Sequence, residues 1–272
     1  MKNEKIIVRS DNIFRSDMPV YVDFKHMAEC TIHRHEFYEI DLFVSGTGIG
    51  TMENSTIDIT MPTCLLNFPY TTHSFKTNGG YFGIYNIAFS ERFVSKECMN
   101  YIYRLEASPC IYLCREEAEL LRQDAELLCS EYQSGNIPMK YERIRTRLEA
   151  MLIFILSKSS FSEKRGDLSP IREALSYISR NLDKKITAAE LAELVHVSPS
   201  YFGTFFKNNY GKSHKAYITE LRMKNAMSLL LSTDNSITAI SEECGFVSVS
   251  NFVKAFKEYW GEHPLEYRKK HE

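Results

Sequence analysis

The chain has 272 residues, of which 44% are hydrophobic and 25% are charged, and its formal net charge at pH 7 is −2. This composition excludes an intrinsically disordered chain, and the length allows one large domain or two ordinary ones. The charge gives no sign of a nucleic-acid partner, since Lys and Arg outnumber Asp and Glu by only 15 to 13 from Arg165 onward. Seven scattered cysteines, no signal peptide and no membrane-spanning apolar run predict a cytoplasmic protein with reduced thiols.

Residues 1–112 are predicted to form a β-rich domain. Short apolar runs with the length of strands are separated by Gly, Pro, Asn and Ser, and they cover residues 39–44, 56–60, 64–68 and 81–89. Many short strands with closely spaced turns favour a β-barrel or a sandwich, and we expect a barrel.

Three histidines and a glutamate lie in two short motifs of this domain. The first motif is His33-x-His35-x-x-x-Glu39, and the second is Pro69-x-x-x-His73. Because residues i and i+2 of a strand share a face, His33 and His35 should point into the barrel together. Both motifs resemble those of the cupin barrel, in whose enzymes such residues converge on one metal ion. The resemblance is partial, since the usual glycine-bearing stretch is absent between Pro69 and His73.

We expect these side chains to line an effector site. Three imidazoles and a carboxylate suit Fe, Mn, Ni or Zn, but histidines inside a small barrel also bind sugars or small acids by hydrogen bonds. We favour the second interpretation, which predicts no metal and no cofactor, and keep the same four residues as alternative metal ligands. The expected effector-binding residues also include two nearby aromatic side chains, and the full set is His33, His35, Glu39, His73, Phe37 and Tyr85.

Residues 113–160 are predicted to form a helical hairpin. Leucines recur near heptad spacing from Leu120 to Leu128, residues 134–138 break the pattern, and a second helix follows. Since the segment 151–156 is apolar on every side, it must be buried on more than one face. We therefore predict a dimerisation surface here, with simple covering of the β domain as the alternative. The polar residues 161–169 are predicted to be a linker.

Residues 170–272 are predicted to be all-helical and to contain one pattern twice. Five residues recur fifty positions later: Phe202, Phe206, Lys207, Gly211 and Tyr217 become Phe252, Phe256, Lys257, Gly261 and Tyr267. Each copy follows a short apolar helix and a turn, which is the outline of a helix-turn-helix. Thr187, Ser198 and Ser248 are predicted helix N-caps. A long helix over residues 213–231 would fix the distance and phase of the two copies.

These residues resemble the AraC/XylS family of transcription regulators. The matching positions run from Ser198 to Arg268 and comprise residues 198–202, Phe206, Lys207, Gly211, Tyr217, Ile218, Arg222, Ala226, Leu229, Leu230, Ile237, Ile240, Gly245, Phe246, Phe252, Phe256, Lys257, Gly261, Pro264, Tyr267 and Arg268. The resemblance implies that the two copies are arms of one DNA-binding domain joined by the central helix. It also implies that the N-terminal domain is a cupin-like sensor.

The expected DNA-contacting residues lie on the second helix of each copy, and they are Ser200, Tyr201, Gly203, Thr204, Lys207, Ser250, Asn251, Val253, Lys254 and Lys257. Gly203 and Thr204 occupy positions that often hold Arg or Gln in the family, and neither can make a bidentate contact to guanine. Arg222 and Arg268 are expected to be structural partners, either in ion pairs or at helix ends, rather than base readers.

Direct readout is expected mainly from the second copy. Ser250, Asn251 and Lys254 can reach base edges, and Val253 can pack on a thymine methyl group. Lys207 and Lys257 lie late in their helices and are expected at phosphates.

The predicted fold class is therefore an α+β multidomain chain with a cupin or jelly-roll-like barrel, a helical hairpin and a double helix-turn-helix domain. We predict a ligand-responsive transcription regulator and not an enzyme. Its expected partners are promoter half-sites of double-stranded DNA, a sugar or related metabolite, a second copy of the chain and, by family resemblance, RNA polymerase for activation, with no membrane partner. The alternative is a metal-dependent cupin oxygenase or isomerase with an accessory DNA-binding domain.

Overall fold

The computed structural model of the protein describes residues 6–8, 13–14, 18–53, 55–60, 62–105, 107–135, 137–160, 170–210 and 212–271. The chain divides into two compact units, Met1–Asp167 and Leu168–Glu272. The predicted linker, residues 161–169, and Gly211 lie outside the described residues. None of the described helices combines the length and the apolar character needed to traverse a lipid bilayer.

The described part of the first unit contains ten strands in two five-stranded sheets. The strands are β1 Ile6–Val8, β2 Val20–Met27, β3 Glu29–His35, β4 Tyr38–Ser45, β5 Gly48–Met52, β6 Ser55–Ile59, β7 Thr63–Asn67, β8 His73–Thr77, β9 Phe82–Phe89 and β10 Cys110–Tyr112. The first sheet has the order β1-β3-β8-β5-β6, and the second has the order β10-β7-β4-β9-β2. Strands β1 and β3 are parallel, and the other paired strands are antiparallel.

The two sheets pack face to face as a sandwich, which corrects the expectation of a closed barrel. Among the described strands no ladder of hydrogen bonds joins one sheet to the other. Instead, side chains of both sheets form one core cluster: Phe43 of β4 and Ile84 of β9 pack with Phe75 of β8 and Ile59 of β6. The rings of Phe43 and Phe75 meet edge to face at 5.2 Å between centroids.

Strand β4 is buried on both faces, so it separates two different environments. Alternate residues of a strand point to opposite faces. Glu39 and Asp41 line the space between the sheets, whereas Tyr38, Ile40 and Leu42 belong to a second core on the outer face. This explains why the segment reads as a continuous apolar run with two carboxylates in it.

Three helices cover that outer face: α1 Lys96–Ile102, α2 Arg115–Gln133 and α3 Lys140–Ser157. Helices α2 and α3 form the predicted hairpin. Leu121 and Leu128 of α2 are buried in the core shared with the second sheet. Leu120 and Leu127 instead are 59% and 50% exposed, one heptad apart on the other side of the helix.

The hairpin is closed by an ion-pair cluster around a buried carboxylate. Glu131 of α2 accepts hydrogen bonds from Arg143, at 2.7 Å, and from Arg147, at 3.3 Å, both on α3. Burial alone would raise the pKa of Glu131, but the two guanidinium groups outweigh it and lower this pKa. The pairing therefore fixes one register between the two helices.

The second unit is all-helical in its described part. Its helices are α4 Pro170–Arg180, α5 Ala188–Leu194, α6 Pro199–Tyr210, α7 His214–Ser232, α8 Ile237–Glu243, α9 Val249–Trp260 and α10 Pro264–His271. Two helix-turn-helix modules, α5–α6 and α8–α9, flank the long helix α7. Phe252 and Phe256 of α9 are fully buried beside Met223 and Ala226 of α7.

The predicted caps are present at the starts of these helices. Thr187 forms a capping box with Glu190 at the start of α5. The hydroxyl groups of Ser198 and Ser248 accept hydrogen bonds from the backbone N–H groups of Tyr201 and Asn251 at the starts of α6 and α9. The sequence therefore specifies these helix boundaries locally.

Each structural copy extends beyond the five repeated residues, because an arginine of its last helix binds backbone groups near the end of its first helix. Arg222 of α7 donates to the carbonyl oxygens of Leu182 and Lys184, which follow α4. In the same way Arg268 of α10 donates to the carbonyl oxygens of Leu230, Thr233 and Asn235 at the end of α7. Each arginine thus joins the last helix of its copy to the end of the first, so of the two structural roles that the sequence left open both arginines have the one at helix ends.

The two copies also touch each other at the turn between α8 and α9. The guanidinium group of Arg222 lies over the ring of Phe246, 5.5 Å from its centroid. Next to Phe246, the Cα of Gly245 faces the carbonyl oxygen of Leu182 so closely that an added Cβ would be 2.3 Å from that oxygen. The first copy therefore packs directly on the turn of the second, in addition to sharing α7.

Replacement of Arg268 by alanine is expected to lower the free energy of unfolding of the second unit by about 1–3 kcal/mol, because it leaves backbone carbonyl groups without their charged donor. Denaturant unfolding followed by the fluorescence of Trp260, the only tryptophan of the chain, measures this unit selectively. Lys269→Ala, at the exposed neighbouring position, is the control and should change this free energy by less than about 0.5 kcal/mol. Equal stability of the two variants would contradict the assigned role.

Candidate functional site

A cavity of about 340 Å³ lies between the two sheets of the first unit. Its lining contains Val8, Ile13, Tyr21, Lys25, Met27, Cys30, His33, His35, Phe37, Glu39, Asp41, His73, Phe75, Ile84, Asn86 and Ala88. The lining thus combines an apolar wall with a concentrated group of imidazoles, carboxylates and amides, which is the composition of small-ligand sites.

Three histidines from the first sheet face one glutamate from the second. His33 and His35 lie on β3, and His73 lies beside His33 on the paired strand β8. The Nε2 atoms of His35 and His73 are each 3.2 Å from the same carboxylate oxygen, Oε2 of Glu39. One candidate ligand atom from each of the four residues lies within 4.8 Å of the other three. These are the residues of the described chain that could hold a metal ion.

The other ring nitrogen of each histidine is engaged with the backbone. Nδ1 of His33 lies 2.9 Å from the carbonyl oxygen of Thr31, and Nδ1 of His35 lies 2.7 Å from that of Phe37. Nδ1 of His73 lies 3.3 Å from the carbonyl oxygen of Thr71. Since a carbonyl oxygen only accepts, each Nδ1 carries the proton in the neutral ring.

The pKa values of several groups in and beside this cluster are shifted from their ordinary values. Burial alone would raise the pKa of Glu39, but His35 and His73 beside it outweigh this effect and hold that pKa well below its ordinary value. Burial, together with the charge of Glu39, raises the pKa of Asp41 to about 7. Burial also lowers the pKa of His33, assisted by the neighbouring His73. For His73, the Glu39 carboxylate more than offsets burial, so its pKa lies above the ordinary value.

Two asparagines hold the carboxylates of Glu39 and Asp41 side by side. The amide of Asn86 donates to Oε1 of Glu39 at 2.9 Å and to Oδ1 of Asp41 at 2.8 Å. The amide of Asn67 donates to Oδ2 of Asp41 at 2.9 Å. Lys25 donates in turn to the side-chain oxygen of Asn86 at 2.9 Å. The network fixes the orientation of Glu39 towards the histidines.

Most of the expected effector-binding residues are brought together, and one is not. Phe37 lines the cavity next to the four polar residues, and its ring stacks on His35 at 4.4 Å. Tyr85 does not line the cavity, which corrects the expectation for this residue. It points to the opposite face of β9 and belongs to the helix-covered core, because Ile84 and Asn86 occupy the inward positions of that strand.

Sequence reasoning missed the polar residues Asp41, Asn86 and Lys25 of the lining. The signal for Asp41 was available, since it lies two residues after Glu39 on one strand and so shares its face. Asn86 sits between apolar neighbours on β9, and only the register of β9 against β4, which pairs it with Asp41, reveals its position.

In the second unit, the expected DNA-contacting residues lie on α6 and α9. Those that are exposed are Ser200, Tyr201, Thr204, Lys207, Ser250, Asn251, Lys254 and Lys257. Gly203 is partly buried, and Val253 packs partly against the core of α7 and α9, so less of its side chain is available than expected. The hydroxyl group of Thr204 donates to the carbonyl oxygen of Ser200 within the same helix.

The turn before α9 contains an exposed apolar side chain that sequence reasoning did not single out. Val247 is 92% exposed and directly precedes the cap residue Ser248. His196 and Gly245 are equivalent positions in the two turns. One residue separates His196 from the cap Ser198, but two residues separate Gly245 from the cap Ser248, so the second turn is one residue longer. His196 has a φ of 56° where the second copy has glycine with a φ of 73°.

Two helix-turn-helix modules held by a shared helix define a DNA-binding domain. Residues 191–270 match the family described as a helix-turn-helix domain. The chain carries an AraC-type helix-turn-helix domain and is related to AraC/XylS-family transcription regulators, which confirms the resemblance found in the sequence.

Three related proteins illustrate this similarity. The uncharacterized HTH-type transcriptional regulator YobQ of Bacillus subtilis (strain 168) is 35% identical over 95 residues, which are 35% of this chain and 39% of YobQ. YfiF of the same organism, also an uncharacterized HTH-type transcriptional regulator, is 25% identical over 247 residues, 87% of this chain and 78% of YfiF. The lactose operon transcription activator of Staphylococcus xylosus is 26% identical over 177 residues, 64% of this chain and 63% of that protein. The coverage of these relatives therefore ranges from about two fifths to about three quarters of their lengths.

Proposed function

We propose that the protein is a ligand-responsive transcription regulator that binds specific DNA sequences through its second unit and a small molecule through its first. The observation that carries the proposal is the duplicated helix-turn-helix domain, whose α6 and α9 expose polar faces and share the helix α7. A binding module is favoured over an enzyme because the similar proteins are transcription regulators.

The packing within the second unit supports simultaneous use of both modules. Helix α7 belongs to both copies, and Arg222 ties the turn after α4 to the ring of Phe246 in the second module. A rigid spacing is what two recognition helices need to enter successive major grooves on one face of a duplex. Lys207 and Lys257 supply phosphate contacts, and the exposed polar residues of α9 supply most of the base contacts.

The effector that we propose is a sugar or a related small metabolite bound between the sheets. The cavity offers both acceptors and donors for hydroxyl groups, namely the Glu39 and Asp41 carboxylates, the Asn86 amide and the Lys25 ammonium group. The relation to the lactose operon transcription activator of Staphylococcus xylosus is consistent with this class. The effector acts only if it binds one state of the regulator more tightly than another.

Two further partners complete the proposal. A second copy of the chain would pack on the hairpin, where Leu120 and Leu127 form an exposed apolar stripe on α2. RNA polymerase is the partner expected of an activator, and this part rests on the family resemblance alone.

The decisive experiment is DNA binding by the full chain. Fluorescence anisotropy should measure its affinity for a duplex from its own upstream region and for a shuffled duplex of the same composition, over a series of salt concentrations. A specific regulator should prefer its own sequence by about 10³-fold or more, and both affinities should fall as salt rises. Equal affinity for the two duplexes, in the presence and absence of candidate sugars, would rule the proposal out.

A further inference from the structure

We propose that His33, His35, Glu39 and His73 bind one divalent transition-metal ion, and that this ion is the centre of the effector site. The first statement stands on the cluster itself. The second rests on the proposed function, since it makes the ion part of what the regulator detects.

The three histidines share one tautomer, which leaves the same ring nitrogen available on each. Each Nδ1 carries a proton because it faces a backbone carbonyl oxygen, so each neutral ring has its lone pair on Nε2. Histidines that bind metals in proteins are commonly fixed in this way, with one ring nitrogen donating to a backbone carbonyl and the other free for the ion. The sequence achieves this at three rings at once, two of them on one strand.

Two of these Nε2 lone pairs face the carboxylate of Glu39. Nε2 of His35 and Nε2 of His73 are each 3.2 Å from Oε2 of Glu39. Nε2 of His73 is buried and makes no well-aligned hydrogen bond to a described residue. Two acceptors at this distance repel each other unless a positive charge lies between them. One cation between the two rings and the carboxylate would satisfy all three of these acceptors at once.

Two separations within the cluster agree with a shared ion. Two ligand atoms that are each about 2.1 Å from one metal ion lie about 3.0–3.4 Å apart when adjacent in octahedral or tetrahedral geometry. The observed separations of 3.2 Å fall in that range. Three imidazole nitrogens and one carboxylate oxygen suit first-row transition metals, in contrast to the all-oxygen sites of Ca²⁺ and Mg²⁺.

The surrounding charge also favours a cation. Glu39 and Asp41 are both buried and are held side by side by the amides of Asn67 and Asn86. Lys25, a basic residue of the cavity lining, makes its hydrogen bond to Asn86 instead of to either carboxylate. Asn86 and Asn67 therefore act as positioning residues that turn Glu39 towards the histidines, and the ion would balance the carboxylate charge.

The remaining lining indicates the chemistry of the organic ligand. Four protein ligands leave coordination positions open on an ion that accepts five or six ligands. Lys25 and Asn86 lie on the same cavity wall as potential donors to a carboxylate or hydroxyl group. A hydroxy acid or sugar acid, which chelates a metal through adjacent oxygens and pairs with an ammonium group, fits both features.

The test measures metal binding by the full chain. The protein is purified, depleted of metal with a chelator, titrated with Co²⁺ and analysed by visible absorption and by elemental analysis after removal of free ion. About one Co²⁺ per chain, with nitrogen-ligand absorption bands that Zn²⁺ displaces, is the expected result. Glu39→Gln and His73→Gln should each weaken binding by about 100-fold or more. His26→Gln is the control, because His26 is an exposed histidine on β2 outside the cluster.

Folding of the variants is checked by circular dichroism in the presence of chelator. The proposal expects Co²⁺ to raise the thermal midpoint of the wild type. It also expects the two cluster variants to have the same midpoint as the chelator-treated wild type and to gain no stability from Co²⁺. Binding well below one ion per chain in the wild type, or equal binding by wild type and both cluster variants, overturns it. The preference for the chain's own DNA site is measured separately. If the protein shows this preference but binds no metal, the metal site is rejected and the proposed regulator function stands. If it binds metal but shows no DNA preference, the regulator function is rejected and the metal site stands.

Discussion

Replacement of Gly245 by alanine is expected to lower the free energy of unfolding of the second unit by about 3 kcal/mol or more. Gly245 has a φ of 73°, in the left-handed region that side chains avoid, and an added Cβ would lie 2.3 Å from the carbonyl oxygen of Leu182. It would also lie 2.8 Å from the guanidinium group of Arg222. Because that carbonyl accepts a hydrogen bond from Arg222, relief of the clash requires the whole turn to move.

Gly261→Ala is the matched control for this prediction. Gly261 ends α9 with a φ of 82°, but no atom of a neighbouring element lies within 4 Å of the position that an added Cβ would occupy. This variant should therefore lose only the cost of the left-handed conformation, about 1–2 kcal/mol. Denaturant unfolding followed by Trp260 fluorescence measures both variants. If the two substitutions have equal effects, the close approach of Gly245 to the first copy is not a determinant of stability.

The comparison also tests how the two modules are held. His196 occupies the position equivalent to Gly245 and has a φ of 56°, so the first turn tolerates a side chain in the same conformation. The difference lies in the surroundings, since His196 is exposed, whereas Gly245 lies against the carbonyl oxygen of Leu182. Loss of stability at Gly245 would therefore identify contact between the modules, and not the turn conformation, as what fixes their relative position.

The elements of the chain could be predicted because their signals are local. The capping box of Thr187 and the caps at Ser198 and Ser248 lie within three residues of the groups they bind. Four of the described strands, β4, β6, β7 and β9, were also visible as short apolar runs. Separation into two sheets could not be predicted, because the choice between a closed barrel and a sandwich depends on which edges pair, and pairing is set by contacts far apart in sequence.

In the candidate cavity, too, the sequence revealed some residues and missed others. His33 and His35 were found together because residues i and i+2 of a strand share a face, whereas Glu39 and His73 were found through the resemblance to the cupin motifs. Tyr85 was wrong and Asn86 was missed by one position, since a shift of one residue along a strand reverses the face of every side chain. Only the pairing of Asn86 with Asp41 across β9 and β4 reveals which alternate residues of β9 point into the cavity.

The long-range hydrogen bonds of the second unit also could not be predicted from the sequence pattern. The repeat of phenylalanines indicated two modules, but the pattern contained no information about which backbone groups Arg222 and Arg268 would bind. Their carbonyl partners lie 33 to 40 residues away in the chain. A sequence repeat therefore identified the modules, whereas the structure was needed to explain their rigid union.

Replacement of Lys254 by alanine is expected to reduce discrimination between the chain's own DNA site and a shuffled site by about 5- to 150-fold, which corresponds to about 1–3 kcal/mol. The side chain of Lys254 is 77% exposed on α9, and its nearest charged partner, Glu258, is 3.9 Å away in an exposed pair that holds it weakly. The ammonium group is thus free to bind a base edge. Fluorescence anisotropy with both duplexes at fixed salt measures the ratio of affinities.

Two matched variants separate base recognition from charge and from the first module. Lys257→Ala removes the same charge from the same helix, but it should weaken binding to both duplexes alike and reduce the slope of affinity against salt by about one ion. Thr204→Ala should change discrimination little, because the Thr204 hydroxyl already donates to Ser200 within α6. If Lys254→Ala preserves discrimination and Thr204→Ala abolishes it, the first module is the principal reader of the DNA sequence.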